Sequence, residues 1–289
     1  MLALLQNIAG LNEATTLLEE IIIINNCSTQ DYNLVTDYIH SQPQLPILYL
    51  IAPSNLGVAK GRNYGLALGK APIIIMLDDD AELQNKDCLQ LLLQEFEKHT
   101  INERTTAILS FKVLYYDTLL MQQNALPHKQ YNAYKDKVNF ETYYFAGGAH
   151  AIKRSVLTHV GNYPEQFFYG MEEYDLSYRI LDAGYSIGYT SKVVMLHKES
   201  PLGRQPKEEK IRMMWVNKTV VAYTYLPKIY TYTTAILWSI QYLKLSSFNV
   251  NGCIHGYKQI YKALQLTQRM PISTITLQYL KKLNARLWY

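Results

Sequence analysis

Three segments of this chain, Ile21–Ile24, Ile47–Ile51 and Ile73–Leu77, are apolar or aromatic at every position. A strand with one wet face alternates apolar and polar residues, so a run without alternation fits a strand covered on both faces. Between the runs lie helical patterns, roughly Leu2–Ile8, Tyr32–His40, Val58–Leu68 and Cys88–Lys98. Each suits a crossover between parallel strands. Strand and helix in alternation predict an α/β domain, a mostly parallel sheet with helices on both faces.

Beyond residue 105 strands are expected near Ala107–Val113 and Tyr143–Ile152. The polar, Tyr- and Lys-containing stretch Tyr115–Asn139 between them reads as a mobile loop or excursion. Glu172–Ala183 predicts a helix ending at Gly184, then a hairpin-like segment and a short strand, Val193–Leu196, leading to His197. A Lys/Arg/Pro/Gly-containing linker from His197 to Lys207 places a domain boundary near residue 205, giving units 1–205 and 206–289. In the second unit Ile211–Tyr225, Ile229–Leu245, Ile254–Leu266 and Thr274–Leu287 read as helices, broken by Pro227, Gly252 and Pro271.

Charge divides the chain at nearly the same point. Residues 1–209 hold 17 Lys+Arg against 24 Asp+Glu, net −7; residues 210–289 hold 11 Lys+Arg and no acid, net +11. A basic segment rich in Tyr, Leu and Ile predicts contact with an anionic membrane surface. Its second helix is too polar to span a bilayer, and its Tyr, Trp and flanking Lys suit an element lying in the interface. The basic residues are dispersed and form no recognised nucleic-acid module, so nucleic acid is not an expected partner. With 48% hydrophobic and 18% charged residues, disorder is excluded. Three cysteines, Cys27, Cys88 and Cys253, in no metal-ligand spacing and with no signal peptide, point to a reducing, cytoplasmic setting.

Two acidic clusters carry the chemistry. The third apolar run ends in Asp78-Asp79-Asp80, at the carboxyl end of a strand, where α/β sheets bind ligands. Adjacent carboxylates repel, and Mg²⁺ or Mn²⁺ shared with a diphosphate would relieve that; a solvated acidic turn is the bland alternative. The second cluster, Glu172-Glu173-Tyr174-Asp175, opens a predicted helix, where the dipole alone favours acids. Asp175 can pair with Arg179 one turn on, which leaves an acid able to act as a base. Like charge from Glu172 and Asp175 would raise Glu173. His197 could complete a metal site with carboxylate oxygens. Asn25–Asp31 after the first run, and Asn55–Gly65 entering a helix with Gly57 and Arg62, look like nucleotide contacts, though neither is a phosphate-binding fingerprint.

In this order, the segments Ile21–Asp31, Asn55–Gly65, Leu77–Leu83, Phe145–Gly161 and Phe167–Ser200 resemble the family 2 glycosyltransferases of the GT-A fold. The resemblance implies an enzyme that moves a sugar, with inversion, from a nucleotide-diphosphate sugar to a glycan or lipid-linked acceptor in cell-surface polysaccharide synthesis. It also implies a Mn²⁺ or Mg²⁺ cofactor. Asp78 and Asp80 match the aspartate-x-aspartate pair, and His197 matches the later metal ligand. Glu173 stands where the family places its base, beside Glu172 and Asp175. Asn25, Asn26, Ser28, Asn55, Gly57, Arg62, Asp78 and Asp79 are the implied donor contacts, and Ala146-Gly147-Gly148 matches a small-residue segment against which donor or acceptor lies.

Family members begin with an apolar strand that contacts the base, and this sequence starts within the helix that would follow. Loss of that strand is expected to expose ladder groups and remove part of the nucleotide pocket. The alternative to an active enzyme is therefore a truncated, catalytically inactive remnant. A metal-dependent phosphatase lacks its nucleophile motif here and leaves Glu172–Asp175 unexplained.

Overall fold

The computed structural model describes residues 1–98, 100–101, 104–199 and 207–288. Helices α1 (Leu2–Ala9) and α2 (Ala14–Leu17) lead into β1 (Ile21–Asn25), α3 (Asn33–His40), β2 (Ile47–Ile51), α4 (Gly57–Leu66) and β3 (Ile73–Leu77). There follow β4 (Ala81–Leu83), α5 (Cys88–Lys98), β5 (Thr100–Ile101), β6 (Arg104–Tyr115), α6 (Tyr131–Tyr134), β7 (Asn139–Thr142), β8 (Ala149–Lys153), α7 (Arg154–Val160), α8 (Glu172–Asp182) and β9 (Ser186–His197). Four helices close the chain: α9 (Lys207–Tyr225), α10 (Lys228–Leu245), α11 (Val250–Leu266) and α12 (Thr274–Lys282).

The strands form two groups. β1 pairs with β2 in parallel, from Ile21 opposite Ile47 to Asn25 opposite Ile51. A second sheet runs β3-β8-β6-β9-β4, with β5 on β6 and β7 on β9. In it β6 and β9 are parallel, while β3 joins β8 antiparallel and β4 joins β9 antiparallel. Among the described residues β1 pairs only with β2, and β3 only with β8. Their remaining edges border one cavity of about 930 Å³, lined by all of Ile21–Asn25 and Ile73–Leu77. Every residue of β3 is apolar, yet each is only half-buried.

Two cores lie on opposite faces of the larger sheet, as the period-two alternation of a strand requires. On β6, Ile108 enters one and Leu109 the other; on β8, Ile152 and Ala151 divide likewise. Leu5, Val35, Leu92 and Phe96 from α1, α3 and α5 cover one face. The other is covered by Leu176 and Ile180 of α8 together with Val220, Val221, Tyr225 and Leu280 from the closing helices and Leu287 beyond them. The basic tail thus shares a core with the α/β unit. Its α10 and α11 turn apolar stripes outward: Ile229, Tyr232, Ile236 and Ile240, and Val250, Ile254, Tyr257 and Tyr261. Among the described residues no helix is long and apolar enough to cross a membrane.

Of the two alternatives for the stretch 115–139 the structure has the excursion, packed: Gln122, Leu126 and His128 are buried, and His128 stacks on Tyr134. Other local expectations are revised. The hairpin expected before Val193 is one long strand, β9, because its first half pairs with both β6 and β7. Gly252 does not interrupt a helix but lies in the first turn of α11, where its amide donates to the Asn249 side chain. The last helix stops at Lys282. Of the expected linker, residues 200–206 lie outside the described residues.

Candidate active site

Strand register brings the acids together. Leu77 lies opposite Ala149, so Asp78 emerges beside Gly148; a Cβ at Gly148 would sit 2.1 Å from Asp78 Oδ2. Ala81 lies opposite His197, which sets the His197 ring against Asp80, Nε2 to Oδ1 at 3.2 Å. The Lys198 amide donates to the Asp80 carbonyl at 2.9 Å and fixes the crossing. Ligand atoms of Asp78, Asp80 and His197 all lie within 4.8 Å of one another.

The second acidic cluster approaches from α8. Arg62, carried by α4, donates to Glu173 Oε1 at 2.9 Å and lies 3.6 Å from Glu172 Oε1. Glu173 and Arg62 lie over Gly147, where a Cβ would stand 1.9 Å from Glu173 Oε1 and 2.8 Å from an Arg62 nitrogen. The two glycines let Asp78 on one side, and Glu173 with Arg62 on the other, close over the same backbone. Arg62 also lies 5.3 Å from the Tyr163 ring centroid. Tyr163 is in turn held by buried His150, whose ring bonds the Tyr163 hydroxyl and the Ala146 carbonyl. Burial, and then Arg62, push His150 down to about 3, so it serves as a neutral strut.

The electrostatics follow from burial and crowding. Burial opposes the Arg62 charge, but Glu173, Tyr163, Glu172 and Asp78 outweigh it and hold the guanidinium protonated. Asp78 reaches the cavity surface yet sits deep among protein atoms; burial raises it, Arg62 works the other way, and Asp80 adds to the rise. The raised carboxyl of the second cluster is Glu172. Burial first, then Glu173, lift it well above the usual carboxylate range, against Arg62, and its Oε2 is buried without a hydrogen-bond partner. The bond to Asp80 raises His197 against burial.

Not every residue expected at the site faces ligand space. Asp175 receives two bonds from Arg179, at 2.9 and 2.7 Å, and one from the Tyr225 hydroxyl at 2.9 Å, so it ties α8 to α9 and is no candidate base. Asn25 accepts from the Ser28 amide and donates to the Tyr49 hydroxyl. Asn26 accepts from the Leu56 amide and donates to Gly57 O, and Asn55 accepts from the Gly57 amide. These asparagines knit the two nucleotide-side loops together. Asn25, Asn26, Ser28, Gly57, Arg62, Asp78, Asp79 and Asp80 line the cavity. Gly57 has φ +73°, and a Cβ there would lie 2.5 Å from Phe168 O, so glycine is required.

Three supporting residues carried no sequence signal. Gln122, buried within the excursion, meets His197 Nδ1 at 3.1 Å and donates to Glu199. With Nδ1 donating to Gln122, a neutral His197 turns its Nε2 lone pair toward the two aspartates. Tyr32 lines the cavity, and Tyr225 caps Asp175 from the tail. A pair of crowded carboxylates and one imidazole nitrogen is a donor set suited to a hard divalent cation. Beside it stand a buried cation able to meet phosphate and a carboxylate able to take a proton.

The family model described as Glycosyl transferase family 2 matches residues 2–161. An uncharacterized protein of Haemophilus influenzae is 34% identical over 117 residues, which is 40% of this chain and 60% of that protein. The O-antigen chain rhamnosyltransferase WbaN of Salmonella anatum is 24% identical over 195 residues, 64% of this chain and 58% of that one. The chain thus spans about 60% of the length of these curated relatives. Among solved structures, GalNAc-T7 with UDP, GalNAc and Mn²⁺ superposes over 89% of this chain and 53% of its own, with a TM-score of 0.61 at 17% identity, a likeness of GT-A fold.

Proposed function

Because this chain belongs to glycosyl transferase family 2, we propose that it transfers a hexosyl or deoxyhexosyl group from a nucleotide-diphosphate sugar to a hydroxyl of a glycan or lipid-linked acceptor. The reading rests on one juxtaposition: Glu173, bonded to buried Arg62, lies across Gly147-Gly148 from the Asp78, Asp80 and His197 cluster. In this reading Asp78, Asp80 and His197 would hold Mn²⁺ or Mg²⁺, and such an ion would supply positive charge beside the departing diphosphate. Arg62 steadies the donor phosphates and orients Glu173. Glu173 takes the acceptor hydroxyl proton as that oxygen bonds to the anomeric carbon from the face opposite the diphosphate, whose C–O electron pair leaves with the phosphate. One displacement with one base inverts the centre. Glu172, kept protonated by burial, adds no competing charge at neutral pH. The relation to WbaN supports polysaccharide synthesis as the setting.

The reading includes docking at the cytoplasmic face of the membrane. Its support is the outward stripes of α10 and α11 on a segment with 11 basic residues and no acid. Salt-sensitive sedimentation with phosphatidylglycerol-containing vesicles, absent with pure phosphatidylcholine, tests it.

The decisive experiment is thermal melting with UDP, dTDP, GDP and CMP, each with and without Mn²⁺. A metal-dependent rise of several degrees with one nucleotide is expected at saturating ligand. Among the described residues β1 and β3, beside the nucleotide loops, each pair on one side only, which favours a second reading, a non-catalytic remnant. Absence of any shift would select it.

A further inference from the structure

We propose that Lys218 of α9 and Arg286, which follows α12, form a binding site for a phosphate group carried by the acceptor. The inference rests on the sugar-transfer reading and narrows its acceptor to a phosphate ester, on a lipid or on a glycan. Lys218 lies between two helices, its Nζ 5.9 Å from the Tyr174 ring centroid on α8 and 4.6 Å from the Trp238 ring centroid on α10. Its neighbour Asn217 fixes that place by donating to the Tyr169 and Gly170 carbonyls, each at 3.0 Å, in the loop that opens α8. Tyr174 follows Glu173, and Tyr144, which stacks on Tyr174 with centroids 4.8 Å apart, leads into the segment that carries Gly147. Lys218 thus stands against the helix that presents Glu173.

Two cations share this place without a counter-charge. The Arg286 charge acts on Lys218 and equally on Tyr144 and Tyr174. Among the described residues neither Lys218 nor Arg286 forms an ion pair, and from residue 210 onward the chain has no acidic side chain to offer one. Lys218 keeps some surface yet sits deep among protein atoms; burial first, then Arg286, push its ammonium down to about 7. Ring faces attract an ammonium but do not neutralise it, and a charge held away from water is costly until an opposite charge meets it. The Trp238 indole nitrogen is likewise buried with no hydrogen-bond partner among the described residues. Ammonium and guanidinium are donors suited to phosphate oxygens, and a phosphate ester, with close to two negative charges at neutral pH, matches both cations where a carboxylate would match one. Ile236 and Ile240, exposed on α10 to either side of Trp238, give a lipid chain on that phosphate an apolar surface to follow.

The test is isothermal titration calorimetry of the full chain in EDTA, with geranyl diphosphate, glucose 1-phosphate and, as the uncharged control, geraniol. A phosphate probe is expected to bind, more weakly as salt is raised, and not to be displaced by UDP. Lys218→Met, which keeps the length of the side chain and removes its charge, should weaken binding at least about tenfold. Arg286 is exposed, so Arg286→Gln should do the same in a chain whose fold is undisturbed, should Lys218→Met unsettle the packing. Tighter binding of geranyl diphosphate would make the phosphate a lipid's; tighter binding of glucose 1-phosphate would make it a glycan's. Failure of both probes to bind would overturn the proposal. So would binding that survives in both variants, displacement by UDP, or equal binding of geraniol. The readout uses neither nucleotide nor metal, so its failure beside an intact nucleotide-induced melting shift would fall on this proposal alone. Phosphate binding that depends on Lys218 in a chain with no nucleotide shift would fall on the sugar-transfer reading.

Discussion

Gly147→Ala separates positioning from folding. A Cβ at this position would stand 1.9 Å from Glu173 Oε1, whereas ordinary contacts begin near 3.4 Å, so the carboxylate must retreat by about 1.5 Å. The other close contact, 2.8 Å, is also a side-chain end, that of Arg62. Both can swing away without moving backbone, which holds the stability cost to roughly 1 kcal/mol. A misplacement of about 1 Å in a reacting group costs on the order of a hundredfold in rate. The variant should therefore melt within a few degrees of the parent while release of nucleotide from the donor sugar falls by about two orders of magnitude. Gly61→Ala is the matched control: its nearest neighbour would be 3.6 Å away, and alanine favours the helix. Undiminished turnover in Gly147→Ala, with Gly61→Ala equally active, would refute the placement of Glu173 and Arg62 at the reacting centre.

Asp80→Asn should fold normally but lose the Mn²⁺-dependent part of the nucleotide-induced melting shift, and a chelator should do the same to the parent; a shift that survives both would remove Asp80 from the metal site. Glu172→Gln tests the buried acid. Since the folded state holds the Glu172 proton more tightly than the unfolded chain, its contribution is full below 4.5 and is lost as pH rises to about 8. Denaturant midpoints should thus fall with pH across that window in the parent, and less steeply in the variant. Asp175→Ala takes the carboxylate from Arg179, which keeps its bonds to the Val160, Gly161 and Asn162 carbonyls, and leaves the Tyr225 hydroxyl without its acceptor; it should cost about 2 kcal/mol in urea unfolding. A larger loss of activity than of stability would return Asp175 to the reacting centre.

What could be read from sequence was what depends on local pattern. The apolar runs gave β1, β2 and β3 nearly to the residue because an unbroken apolar run between turn residues needs no partner to be recognised, although the double cover expected of such runs is incomplete: β3 is half-buried throughout and Leu48 and Ile51 of β2 are exposed. Asp78, Asp80 and His197 were legible through their places at strand ends, and register then brought them together. Gln122 was not, because its contact with His197 spans 75 residues and leaves no mark on the excursion that carries it. Nor was the division between Glu172 and Glu173. The spacing placed both at the head of one helix, but which carboxyl faced Arg62 and which lost its water was decided by α4 and Gly147, distant in sequence. Asp175 shows the converse: its pairing with Arg179 followed from i,i+4 spacing, while the Tyr225 bond that completes it comes from the tail.

The two strand groups divide the site unequally, and this bears on how nucleotide and metal binding are coupled. Asp78, Gly147-Gly148, Asp80 and His197 all stand at ends of strands in the larger sheet, whose β3-β8 and β4-β9 ladders set their spacing. The loops after β1 and before α4 depend on the smaller sheet and on the bonds Asn26 makes to Leu56 and Gly57. Arg62 bridges the halves, since α4 carries it from the nucleotide side to Glu173. Nucleotide affinity and metal affinity therefore depend on different parts of the fold. Asn26→Ala, which removes the bonds to Leu56 and Gly57, should raise nucleotide Kd, while Mn²⁺ affinity, set by the larger sheet, should change little. A loss of metal affinity equal to the loss of nucleotide affinity would mean that the two halves move as one body.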